Sequence, residues 1–163
     1  SDDWDDLTRR HQITLLRLRA IRSLSRAPAS RARLTARLTE HGTLDEIDRA
    51  LDELESDGIL NDAAFAAQIV KERLRKQPVG RDGIAQTLKK RGITEAIIEE
   101  TMQALIDCRD QRADAEAAAD MAMRGLENLP VDTAARRLAG RLARRGFDEE
   151  TIMEVVKARM DEQ

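Results

Sequence analysis

Three prolines, Pro28, Pro78 and Pro130, stand 50 and 52 residues apart, and each introduces the same pattern. An apolar pair four residues apart follows each one: Leu34/Leu38, Ile84/Leu88 and Leu138/Leu142. Four residues beyond each pair comes a glycine, Gly42, Gly92 or Gly146. An apolar pair at i and i+4 lies on one helical face. Proline costs little near a helix start, where the first N–H groups have no internal partner. A glycine after the last apolar position can adopt the left-handed conformation that closes a helix. Self-similarity at a period of about 50 residues therefore predicts three copies of one helical unit.

Each copy supplies two further helices. The segments before the prolines read as first helices: 11–26 with Leu15, Leu18 and Leu24 apolar, 62–76, and an alanine-rich 109–127 with Met121 and Leu126. A third helix follows each glycine, carrying Ile47, Leu51 and Leu54, then Ile98, Met102 and Leu105, then Ile152, Val155 and Val156. Thr43 and Glu46 have capping-box spacing at the start of the first of these. The expected organisation is an acidic N-terminal tail over 1–10 and three-helix repeats over 11–58, 59–107 and 108–163. No sustained period-two alternation competes with this reading, and aromatic residues make up only 2% of the chain, so the core must be aliphatic. The fold class is all-α, three tandem three-helix repeats in an elongated, curved array.

Charge is sorted by helix. Residues 9–41 hold nine arginines against Glu40, and residues 63–92 hold eight basic residues against Glu72 and Asp82. Residues 42–62 hold eight acids and only Arg49. Basic first and second helices can pair with acidic third helices inside each unit, or align into a stripe that meets phosphates or an acidic protein surface. For the stripe reading the candidate partner- or DNA-binding residues are Lys71, Arg73, Arg75, Lys76, Arg81, Lys89, Lys90 and Arg91 in the second copy. In the third they are Arg137, Arg141, Arg144 and Arg145. A sequence pI of 5.5 argues against strong non-specific binding to naked DNA.

Signatures of catalysis are missing from the sequence. It contains no phosphate-binding glycine-rich loop, no H-E-x-x-H and no cysteine pair for zinc. His11 and His41 are isolated, and Cys108, between Asp107 and Asp110, lacks the electropositive setting of a reactive thiolate. We expect no enzyme activity, no cofactor and no metal. Phe65 and Phe147 read as core residues, while Trp4 is either an exposed anchor or part of a docked tail. A single cysteine and the lack of a leader or an apolar span suit a cytoplasmic, monomeric protein.

The stretch Asp57 to Arg73, D-G-I-L-N-D-x-x-F-A-x-x-I-V-x-x-R, continues into Gly80-Arg81-x-x-Ile84 and Leu88-Lys89-Lys90-Arg91-Gly92-Ile93. With the closing Leu142-Ala143-Arg144-Arg145-Gly146-Phe147 it resembles the RecX family of RecA modulators, over residues 11–160 and most strongly over 57–105. The resemblance implies a non-enzymatic, all-helical protein that lodges in the groove of the RecA–single-stranded-DNA filament. It implies restraint of strand exchange, ATP hydrolysis and co-protease action. Phe65 matches the core aromatic of the central repeat, and Arg73, Arg81, Lys89, Lys90 and Arg91 match its basic positions. Gln68 and Ile69 stand where family members often carry a further aromatic, which removes a stacking platform. The alternative is a stand-alone nucleic-acid-binding repeat protein whose second helices act as recognition helices. An adaptor for an unrelated protein partner is a third possibility.

Overall fold

The computed structural model describes residues 2–162 and shows helices joined by short turns, with no strand among the described residues. The first unit contains α1 (Asp2–Arg26), α2 (Arg31–Leu38) and α3 (Leu44–Ser56). The second contains α4 (Asp62–Lys76), α5 (Arg81–Lys90) and α6 (Glu95–Leu105), and the third α7 (Gln111–Ala122), α8 (Val131–Arg144) and α9 (Glu149–Asp161). The all-α expectation is met. Extensive helix–helix packing is confined to the units, so the joints between them are narrow.

Helix starts follow local chemistry. Ser30, Asn61, Asp110 and Asp148 each accept a hydrogen bond from a first-turn N–H, and Thr43 with Glu46 forms the reciprocal capping box. Each unit has its own core. Leu16, Leu34, Ile47, Leu51 and Leu54 centre the first; Val70, Ile84, Leu88 and Met102 centre the second. In the third, Ala115, Ala118, Ala119 and Ala122 form the buried stripe of α7 and let it lie close to Leu138 and Leu142.

Several local expectations change. Residues 2–10 are not a separate tail but continue α1 as helix. The buried face of α1 is Ile13, Leu16 and Ala20, whereas Leu15 and Leu18 are exposed on its other side. The helix expected over 109–127 ends at Ala122, and its continuation forms turns that bury Leu126. Gly92 and Gly146 take φ of 80° and 82°, but Gly42 has no positive φ. The first unit is one residue shorter between its glycine and third helix: Ile93 and Phe147 N–H donate back to Leu88 O and Leu142 O at 3.2 and 3.4 Å, whereas Thr43 N–H, at the same position, donates forward to the Glu46 carboxylate at 2.9 Å.

The units meet through their second helices, placed end to end. Gly80 N–H donates to Arg145 O at 2.9 Å and Asp82 N–H to Gly146 O at 3.2 Å, which seats the start of α5 on the end of α8. The start of α2 sits on the end of α5: Ser30 Oγ donates to Arg91 O at 2.7 Å and an Arg33 guanidinium nitrogen to Lys90 O at 2.7 Å. Each joint puts carbonyl-rich C-terminal ends against N-terminal donors, so the helix dipoles run head to tail.

Candidate functional site

The structure divides the basic residues into those paired with acids of their own unit and those left without an ion pair among the described residues. Arg31, the first residue of α2, meets Asp48, Asp52 and Glu55 of α3 at 3.2, 2.8 and 3.1 Å. Arg81 occupies the same place in α5 and meets Glu99 and Asp107 at 3.3 and 3.0 Å. The Asp107 hydrogen bond, more than any other contact, pushes the Arg81 pKa above the ordinary arginine value. Arg81 is therefore clamped inside its own unit. The third unit has Ala135 at this repeat position.

Arg141 is also occupied, donating to Ala122 O and, at 3.2 Å, to Arg124 O, where it satisfies carbonyls at the end of α7. A guanidinium nitrogen of Arg145 lies 3.9 Å from Met121 Sδ, and its carbonyl serves the joint with α5. Lys71, Arg75, Lys90, Arg137 and Arg144 are exposed and form no ion pair among the described residues. Lys89 is exposed as well and lines a shallow groove with Asp82 and Glu95.

Three of the sequence-selected residues converge. Arg73 and Lys76, from the last turn of α4, and Arg91, at the end of α5, line a groove of about 430 Å³. Phe65 forms part of its wall. It is half-buried, with one side packed on the second core, as expected of a core residue, and the other in the groove; Phe147 is buried. Glu72 is the acid in this groove and accepts from Gln68 Nε2 at 3.1 Å. Arg73 Nε is buried without a hydrogen-bond partner, the one such side-chain atom among the described residues. A buried N–H left unpaired is costly.

A second groove lies at the corresponding place in the first unit, between the C-terminal half of α1 and α2. It measures about 560 Å³ and is lined by Arg19, Arg22, Arg26 and Arg37 with no carboxylate. Arg37 donates to Ser23 Oγ at 2.7 Å, and none of the four forms an ion pair among the described residues. The two grooves adjoin at Ala27, which lines both. The sequence reading did not select these four arginines as site residues. The nine-to-one excess of arginine over acid in residues 9–41 was the available signal.

Among the described residues no group of three or more histidine, cysteine or acidic side chains is arranged to hold a metal, and no helix is long and apolar enough to cross a membrane. Trp4 is exposed on α1 rather than docked.

Residues 61–102, most of the second unit, match the family model described as RecX, second three-helix domain. The chain is 36% identical over 155 residues to the regulatory protein RecX of Mycobacterium leprae, covering 93% of this chain and 88% of that one. It is 31% identical over 147 residues to the regulatory protein RecX of Streptomyces coelicolor, covering 88% and 76%. A crystal structure of RecX from Lactobacillus salivarius superposes with a TM-score of 0.78 at 19% identity, covering 94% of this chain and 99% of that one. At such identity the superposition speaks to fold, and the sequence relatives carry the family assignment. A recognised central unit and identity of 31–36% sustained across nearly the whole chain place this protein in the RecX family of regulatory proteins.

Proposed function

We propose that this chain is a non-enzymatic regulator that binds the RecA–single-stranded-DNA filament in its helical groove and restrains strand exchange, ATP hydrolysis and co-protease action. The observation that carries this reading is the pair of adjoining basic grooves on the first two units, whose cations form no ion pair among the described residues. Arginine forks suit phosphate and carboxylate oxygens, so the surface fits a filament that presents DNA backbone and acidic protein side chains. Tandem units joined end to end would span neighbouring recombinase subunits. Inhibition would then be steric, by resisting the rearrangements of ATP turnover and blocking entry of a second DNA. No cofactor enters this scheme, and its setting would be cytoplasmic DNA repair.

The test measures binding to a RecA filament on single-stranded DNA together with its ATPase rate, with naked DNA as control. Tight filament binding with slowed hydrolysis and weak naked-DNA binding is expected. Charge reversal at Arg73 and Arg91, with helicity retained, should weaken filament binding at least about 10-fold. Unchanged affinity would remove these grooves from the interface. Equal affinity for naked DNA would favour the stand-alone nucleic-acid reading. Arg81 is unsuitable for charge reversal, because a new carboxylate there would face Glu99 and Asp107.

A further inference from the structure

Helix α1 carries apolar residues on two faces, and only one face is covered. Ile13, Leu16 and Ala20 turn into the first core. Trp4, Leu7, Leu15 and Leu18 lie on the opposite side, 75%, 58%, 40% and 48% exposed. With His11 they follow one another at steps of three, four, four and three, which aligns them in one stripe along the helix. They are four of the nine large apolar residues exposed among the described residues, so the stripe is a concentration and not the usual scatter. Its N-terminal part has no support from the fold. Arg9 and Arg17 of α1 pair with Asp45 and Glu53 of α3, which begins at Leu44, so the turns before Arg9 project past the bundle fully exposed. A helical arm of that length is marginal when nothing packs on it.

We propose that the stripe is the contact of a symmetrical homodimer, in which two α1 helices pack antiparallel across His11. Two features of α1 select a second copy, in that orientation, as the occupant. The spacing is palindromic about His11: Trp4 would oppose Leu18 of the second copy, and Leu7 its Leu15, so the stripe is complementary to itself. Charge runs along the same helix from Asp2, Asp3, Asp5 and Asp6 at its start to Arg19, Arg22 and Arg26 at its end. A parallel pair would set aspartates against aspartates, whereas an antiparallel pair sets the acidic end of each helix beside the arginines of the other. Two helices in contact over this length bury on the order of 1,000 Å² in total, near the lower limit for specific association. This departs from the monomer expected from the sequence, and because Arg19, Arg22 and Arg26 also line the groove between α1 and α2, the second copy and a filament would compete for them.

Sedimentation equilibrium of the full chain across a concentration series tests it. Trp4 is the sole tryptophan, so its emission should shift to the blue as the dimer forms. Leu7→Glu with Leu18→Glu alters only exposed positions and should weaken association at least about 100-fold without loss of helicity. Orientation is read by cross-linking in a Cys108→Ser background with a short bis-maleimide. His11→Cys should link to itself, and Trp4→Cys should link to Leu18→Cys in a mixture but not to itself. Wild-type protein that stays monomeric to about 0.5 mM would assign the stripe to another partner and overturn the proposal. Self-linking of Trp4→Cys, or a dimer untouched by the two glutamates, would overturn it equally.

Discussion

Replacing Gly80 with alanine isolates the joint between the second and third units from every other feature of the fold. Gly80 has φ −75° and ψ 164°, a conformation alanine adopts freely, so backbone strain does not enter. The added methyl would lie 2.3 Å from Gly146 O, 2.4 Å from its carbonyl carbon and 2.5 Å from Phe147 N. These are backbone atoms of the next unit and cannot swing aside as a side-chain end would. The joint must open, with loss of the Gly80–Arg145 and Asp82–Gly146 hydrogen bonds. Each bond contributes about 0.5–1.5 kcal/mol net, and the overpacking adds about 1–3 kcal/mol. A gain of about 0.5 kcal/mol from the stiffer unfolded chain offsets part of this. The coupling between the units should therefore fall by roughly 1.5–5.5 kcal/mol, about 3 kcal/mol at the centre of these ranges, while the cores around Ile84 and Leu138 stay intact. In an array held by nearest-neighbour terms, that loss should divide one melting transition into two, the lower displaced by roughly 5–12 °C. Calorimetry reads the transitions, and hydrogen exchange at the Gly80 and Asp82 amides reads the joint. Gly58→Ala is the control, since its φ is 72° but nothing lies within 4 Å, and it should cost only about 1 kcal/mol. A single transition at the wild-type temperature, with both amides still protected, would refute the view that the end-to-end seating of α5 on α8 couples the units.

Arg81→Ala should lower the melting temperature of the second unit by a few degrees, because it leaves Glu99 and Asp107 without their partner. Filament affinity should be unaffected, so binding and melting measured on one preparation separate it from Arg73 and Arg91. Arg19→Glu with Arg22→Glu should weaken binding to the filament at least about 10-fold while leaving the first core folded, as circular dichroism would confirm. Asp148→Ala should cost about 1 kcal/mol at neutral pH through loss of the α9 cap. The Thr151 backbone hydrogen bond holds the Asp148 carboxyl below its usual 3.8, so its stabilisation is complete above that value and is lost as pH falls through the depressed one. Denaturant melts of wild type and variant should therefore differ at pH 7 and converge in strong acid.

The helical class, the three copies and most helix ends are legible in the amino-acid order, because these rest on short-range chemistry. The period-four apolar pairs, Thr43 with Glu46, and the glycines at 92 and 146 act within a few residues of themselves, and their effect is visible in one dimension. Gly42 departs from the pattern although its neighbours resemble those of Gly92, because the shorter loop of the first unit closes without a left-handed residue. Which side of α1 faces the core could not be read, since Leu15 and Leu18 are as apolar as Ile13 and Leu16 and only packing on α3 chooses between the faces. The same limit applies to charge. Arg73 and Arg81 stand eight residues apart in equally basic surroundings, yet tertiary structure delivers one to an open groove and the other to Glu99 and Asp107. A charge is spent or available according to what lies within about 4 Å of it, and that distance is set by the meeting of helices remote in the chain.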